Sequence, residues 1–121
     1  MNKPCVVVLI GGPDAERDVS IRSGTAVAEA LTQSGEFEVR TAIIQHTNDS
    51  ALTAMQADVF FPVLHGPYGE GGPLQKILEH TGIPFVGSGS AESSAAMDKI
   101  QTKEIAQEIG IQTPNWCLLT E

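Results

Sequence analysis

Long apolar runs are missing from this sequence: nowhere does it approach the roughly 20 consecutive apolar residues that a membrane-spanning helix needs. Basic residues are scarce, with 7 Lys and Arg against 15 Asp and Glu for a net charge of -8. Nucleic-acid phosphates call for clustered cations, so neither nucleic acid nor membrane is an expected partner, and a nucleotide would rely on local cations or on another domain. Cysteine is nearly absent. Cys5 and Cys117 stand far apart without C-x-x-C spacing, so both read as buried thiols of a reducing compartment rather than as a disulfide or redox pair. No apolar signal segment or small-residue cleavage site precedes the first strand-like run, and the expected location is cytoplasmic. The chain has no G-x-S-x-G, no G-x-x-x-x-G-K-[ST] and no G-x-G-x-x-G, which removes the common hydrolase, P-loop and dinucleotide readings. His46, His65 and His80 share no ligand spacing with one another or with the cysteines, so no metal site is expected.

What is present describes one folded domain. The 121 residues are 41% hydrophobic and 18% charged, a chain long enough to bury about two thirds of its unfolded surface without a metal or a disulfide. Val6 to Ile10 is a continuous β-branched and aliphatic run, as in a central parallel strand covered on both faces. Val19, Ala26, Val27, Ala30 and Leu31 then recur at helical intervals up to Gly35, placed as a C-terminal cap. Glu38 to Ile44 alternates like a strand nearer the sheet edge. Asp49 and Ser50 can cap a short helix through Met55, and 58–64 returns to strand. Leu74, Ile77 and Leu78 form a helical stripe ended by Gly82, and Ile83 to Val86 reads as a fourth short strand before Gly87-Ser88-Gly89-Ser90. A helical stretch to Met97, a helix stopped by Gly110 and a strand candidate over Trp116 to Leu119 complete the chain. The order β-α-β-α-β-α-β predicts an α/β fold with a doubly wound parallel sheet, Rossmann-like, in three α/β/α layers.

Two glycine-rich turns carry the functional signal. Gly11-Gly12-Pro13-Asp14-Ala15-Glu16-Arg17-Asp18-Val19-Ser20 follows the first strand, and His65-Gly66-Pro67-Tyr68-Gly69-Glu70-Gly71-Gly72 follows the run ending at Leu64. In one parallel sheet both turns lie at the carboxyl edge, where such sheets bind ligands. Glycines there would let backbone N–H groups approach a ligand, and the helix starts behind them favour anions. Glu16 reads either as a carboxylate that holds an ammonium group or as a first-turn acid favoured by the helix dipole. Ser20 is a ligand contact or, more simply, a helix cap. His65, at a strand end before a glycine, is a cleft histidine or a structural one; Tyr68 and Glu70 share its loop, and Glu70 can serve to brace it. Lys99 and Lys103, one turn apart, either reach phosphates or are solvated.

These residues resemble the amino-terminal part of the D-alanine-D-alanine ligase family within the ATP-grasp superfamily. The first turn is similar to G-G-x-S-x-E-x-x-V-S. Phe61 to Gly72 resembles F-P-x-L-H-G-x-x-G-E-D-G, and Gly87-Ser88-Gly89 through Ala96-Met97-Asp98-Lys99 is similar to G-S-G followed by A-M-D-K. Asp14 stands where that pattern has serine, Gly71 where it has Asp or Asn, and Lys76 where a small residue is expected. The resemblance implies the domain that precedes an ATP-grasp fold, with 1–96 as a substrate-binding domain and 97–121 as a linker and the start of a truncated ATP-grasp domain. It further implies a homodimeric full-length enzyme that uses ATP and Mg2+ (or Mn2+) to join two D-alanine molecules for peptidoglycan. Catalytic positions would be Glu16 and His65, substrate binding would fall to Glu16, Ser20 and His65, and Lys99 would approach ATP. The fragment alone is expected to be inactive and without bound cofactor. Another ATP-grasp carboxylate–amine ligase, or a stand-alone small-molecule binding module, would present the same turns.

Overall fold

The computed structural model describes residues 2–121. Strand β1 (Cys5–Gly11) lies at the centre of the sheet, and all seven of its residues are buried. Helix α1 (Arg17–Ser34) follows and ends at Gly35 in the left-handed conformation, φ 72°. Strand β2 (Glu38–Ile44), helix α2 (Asp49–Ala54) and strand β3 (Val59–Pro62) come next. β1 pairs in parallel with both neighbours, giving the order β2-β1-β3. The chain leaves β1 to one side and returns to its other side, so the switch point of the topology lies between β1 and β3. β2 is the edge strand, and its burial is correspondingly poor.

Alternation along β1 separates two cores. Val6, Val8 and Ile10 pack with Ala28 and the α1 face, while Cys5, Val7 and Leu9 join Leu52, Phe60, Leu64, Leu74 and Leu78 on the other. Leu74 and Leu78 belong to α4 (Pro73–Thr81), which is preceded by the single turn α3 (Pro67–Glu70). Helices α5 (Ser90–Met97) and α6 (Lys99–Glu108) follow. The layers are therefore helix, parallel sheet and helix, as the strand-helix order predicts.

Four expectations need correction. Residues 83–86 make only a bridge, Phe60 to Phe85, held by Phe60 N–H to Pro84 O and Val86 N–H to Phe60 O, both 2.9 Å. Pro84 has no N–H to extend the ladder. Trp116 to Leu119 forms no strand, because no neighbouring strand lies beside it; Leu119 is 89% exposed. Cys117 is exposed with that segment rather than buried, while Cys5 is buried. The cap of α2 is Asn48, whose side chain accepts from Ala51 N–H at 2.8 Å, and not Asp49 or Ser50.

Candidate functional site

Both glycine-rich turns emerge at the carboxyl ends of β1 and β3, and Leu64 holds them together. A Cβ on Gly12 would come within 2.8 Å of the Leu64 side chain, and one on Gly69 within 2.2 Å of its Cβ. These two glycines therefore serve the contact of one turn with the other, a packing role that differs from the ligand approach expected from the sequence. Asp14 adds a polar tie, its Oδ2 accepting from Tyr68 N–H at 2.9 Å. Asp14 is thus an acceptor at the first turn of α3. A third tie comes from Ser20. Fully buried, its hydroxyl accepts from Gly11 N–H at 2.9 Å and donates to Val63 O, joining the end of β1 to the end of β3. Ser20 is not the cap of α1: Glu16 occupies that position.

Glu16 is exposed and makes no side-chain capping bond to α1. It stands on the turn that follows β1. Next to it, the Arg17 guanidinium donates to Gly12 O at 2.9 Å and to Ile44 O at 3.0 Å, closing the turn against β2.

His65 is held from two sides. Its Nε2 lies 3.3 Å from Ser23 Oγ on α1, and its Nδ1 lies 3.5 Å from Glu70 Oε1. Glu70 Oε2 accepts from Gly66 N–H at 2.9 Å, so the carboxylate is fixed to the loop's own backbone. Gln75, buried, completes the bracing: it accepts from Gly72 N–H at 3.1 Å and donates to Gly69 O at 2.6 Å. The acid missing at position 71 is not needed for this loop. A Cβ there would come within 2.4 Å of Pro67 O. Sequence reasoning passed over Gln75 and Ser23, although Ser23 lies three residues beyond Ser20 and hence on the same helix face.

A cleft of about 350 Å³ opens beside this loop. His65, Glu70 and Gln75 line one side, and Val86, Gly87, Ser88, Glu92 and Ser93 the other. Glu16 sits on the neighbouring turn and outside this lining, and Ser20 lies behind the strand ends. Lys99 is exposed at the first position of α6, away from the cleft lining, and Lys103 donates to Thr113 Oγ1 at 2.8 Å. Among the described residues no three His, Cys, Asp or Glu side chains gather as a metal site, and no helix is long and apolar enough to cross a membrane.

The far wall is secured by Glu79. Its two oxygens accept from Ser90 N–H at 2.6 Å and from Ser90 Oγ–H at 2.8 Å, and these bonds hold its carboxyl below the ordinary 4.5. A carboxylate whose pKa falls on folding stabilises the protein above its unfolded value and loses that contribution as pH falls through the lowered one. Glu79→Gln is accordingly expected to narrow the loss of stability on acidification below 4.5. Urea unfolding over a pH series measures this; equal acid sensitivity of the two proteins would contradict it.

Comparison with known proteins follows the same lines. The D-ala D-ala ligase N-terminus family matches residues 39–88. The D-alanine–D-alanine ligase of Saccharophagus degradans is 42% identical over 95% of this chain and 36% of its own length. That of Pseudomonas entomophila is 45% identical over 94% of the chain, again 36% of its own. The crystal structure of the Bacillus anthracis D-alanine–D-alanine ligase complexed with ATP superposes with a TM-score of 0.76 at 34% identity, over 94% of this chain and 40% of that one. The chain thus spans about a third of the length of the curated relatives it matches. In motif order, sequence and fold the chain is similar to the amino-terminal third of D-alanine–D-alanine ligases.

Proposed function

We propose that this chain is the substrate-binding part of a ligase that joins two D-alanine molecules at the expense of ATP, supplying the dipeptide of peptidoglycan. In that reaction the first D-alanine carboxylate takes the γ-phosphoryl group of ATP, the amine of the second attacks the acyl phosphate, and inorganic phosphate and a proton leave. Glu16 holds the ammonium of the first D-alanine, His65 lies beside its carboxylate, and Lys99 meets the ATP phosphates. Ser20 serves from behind by fixing the strand ends that carry the other two. The observation that carries this reading is that the two turns at one sheet edge carry an exposed carboxylate, Glu16, without a capping bond and a histidine, His65, braced from two sides.

The Mg2+ that the resemblance implies does not fit the donors of this chain, because among the described residues no three His, Cys, Asp or Glu side chains gather to hold a metal ion. We place the enzyme in the cytoplasm and expect the full-length protein to be a homodimer. Residues 1–96 are the substrate-binding domain and 97–121 the passage to the nucleotide-binding one; α6 has no buried residue and nothing after it is helix or strand. Hydrogen exchange is expected to be early in 97–121 and slow in β1. Uniform protection would place the whole chain in one unit.

The function is tested by phosphate release and dipeptide formation from ATP, Mg2+ and D-alanine. The 121-residue chain is expected to be silent and its parent reading frame active, with turnover dependent on D-alanine. Turnover by the chain alone, or a parent enzyme indifferent to D-alanine, would overturn the proposal.

A further inference from the structure

We infer that Ser23 is a positioning residue for His65, fixing the plane and tautomer of its ring together with Glu70. The inference rests on the reading of His65 as a substrate contact given above. Ser20 and Ser23 project from one face of α1, one turn apart. The first fastens the backbone of Val63 and the second touches the ring of His65, two residues further along the same strand end. The helix therefore grips the end of β3 at two points, and one of them is the imidazole.

The donor and acceptor inventory sets the tautomer. Glu70, as a carboxylate, only accepts hydrogen bonds, and one of its oxygens is occupied by Gly66 N–H. The contact of its Oε1 with Nδ1 at 3.5 Å favours a proton on Nδ1, which would otherwise set a lone pair against a carboxylate oxygen. A neutral ring then presents a lone pair at Nε2, and the Ser23 hydroxyl, 3.3 Å away, is the donor facing it. That hydroxyl has a second acceptor in Val19 O at 2.8 Å, so its single proton is shared between helix and ring. Among the described residues Ser23 and Glu70 are the only side chains in hydrogen-bond reach of His65. Removing Ser23 leaves the ring tied at one edge and free to turn about χ2.

The test uses the 15N-labelled chain at a pH where imidazole is neutral, with long-range proton–nitrogen spectra of the three histidine rings and His65→Gln to assign the His65 signals. His65 is expected as the Nδ1–H tautomer, the reverse of the preference of free histidine in water. Ser23→Ala should shift it towards Nε2–H or an averaged ring, Ser23→Thr should restore the wild-type pattern, and His46 and His80 should not move. Alanine favours helix, so the variant is expected to fold. A wild-type Nε2–H ring, or a His65 signature unchanged by Ser23→Ala, overturns the inference. In the parent enzyme Ser23→Ala should raise the KM for the first D-alanine by about threefold to tenfold, the worth of one ordinary hydrogen bond, with recovery in Ser23→Thr. A shifted tautomer with an unchanged KM would uphold the role of Ser23 in holding the ring and overturn instead the reading of His65 as a substrate contact.

Discussion

Glu16→Gln in the full-length enzyme is expected to weaken binding of the first D-alanine by about tenfold to a hundredfold, the loss of roughly 1.5 to 3 kcal/mol for a hydrogen bond to a charged group. The substitution keeps the size of the side chain and removes its charge. Because Glu16 is exposed and makes no capping bond to α1, little stability should go with it. The affinity for ATP should hardly change, since in the proposed function Lys99 and the remainder of the enzyme would carry that contact. Steady-state kinetics at saturating ATP, set beside thermal unfolding, separates the two readings of this residue. A lowered melting temperature with an intact KM for the first substrate would make Glu16 a helix-end acid.

Ser20→Ala is expected to act in the opposite way, on the fold first. The hydroxyl is fully buried and satisfies two backbone groups, Gly11 N–H and Val63 O. Alanine would orphan both, and each unpaired buried group costs about 1 to 3 kcal/mol. A stability loss of about 2 to 6 kcal/mol follows, measurable by urea unfolding of the chain. Threonine should not rescue it, since an added methyl group has no room in a site with no exposed surface. Unchanged stability, with only D-alanine binding impaired, would show that Ser20 touches the ligand itself.

The contrast between these two residues marks what could be read from the sequence. Spacing and capping signals are local, so β1, the stop of α1 at Gly35 and the edge character of β2 were legible, as was the meeting of the two turns at one sheet edge. The fate of Ser20 was not, because its partners lie on strands brought together only by the fold. The same holds for Gly12 and Gly69: a glycine in a turn announces that something comes close, and only tertiary structure reveals that it is Leu64. Extended segments failed for a related reason. A run such as Trp116 to Leu119 has strand propensity, yet a strand exists only beside another strand. Ser23 and Gln75 were within reach of the sequence. Both are polar residues on the inner face of a helix next to a glycine-rich turn.

The most direct test is a structure of the parent enzyme with D-alanine in its first-substrate site. The ammonium group is expected within about 3 Å of the Glu16 carboxylate, a charge-assisted hydrogen-bond distance. The ligand's carboxylate should lie beside the His65 ring, between the turns that follow β1 and β3. A D-alanine bound elsewhere, with Glu16 turned to solvent and His65 apart from the ligand, would contradict the account.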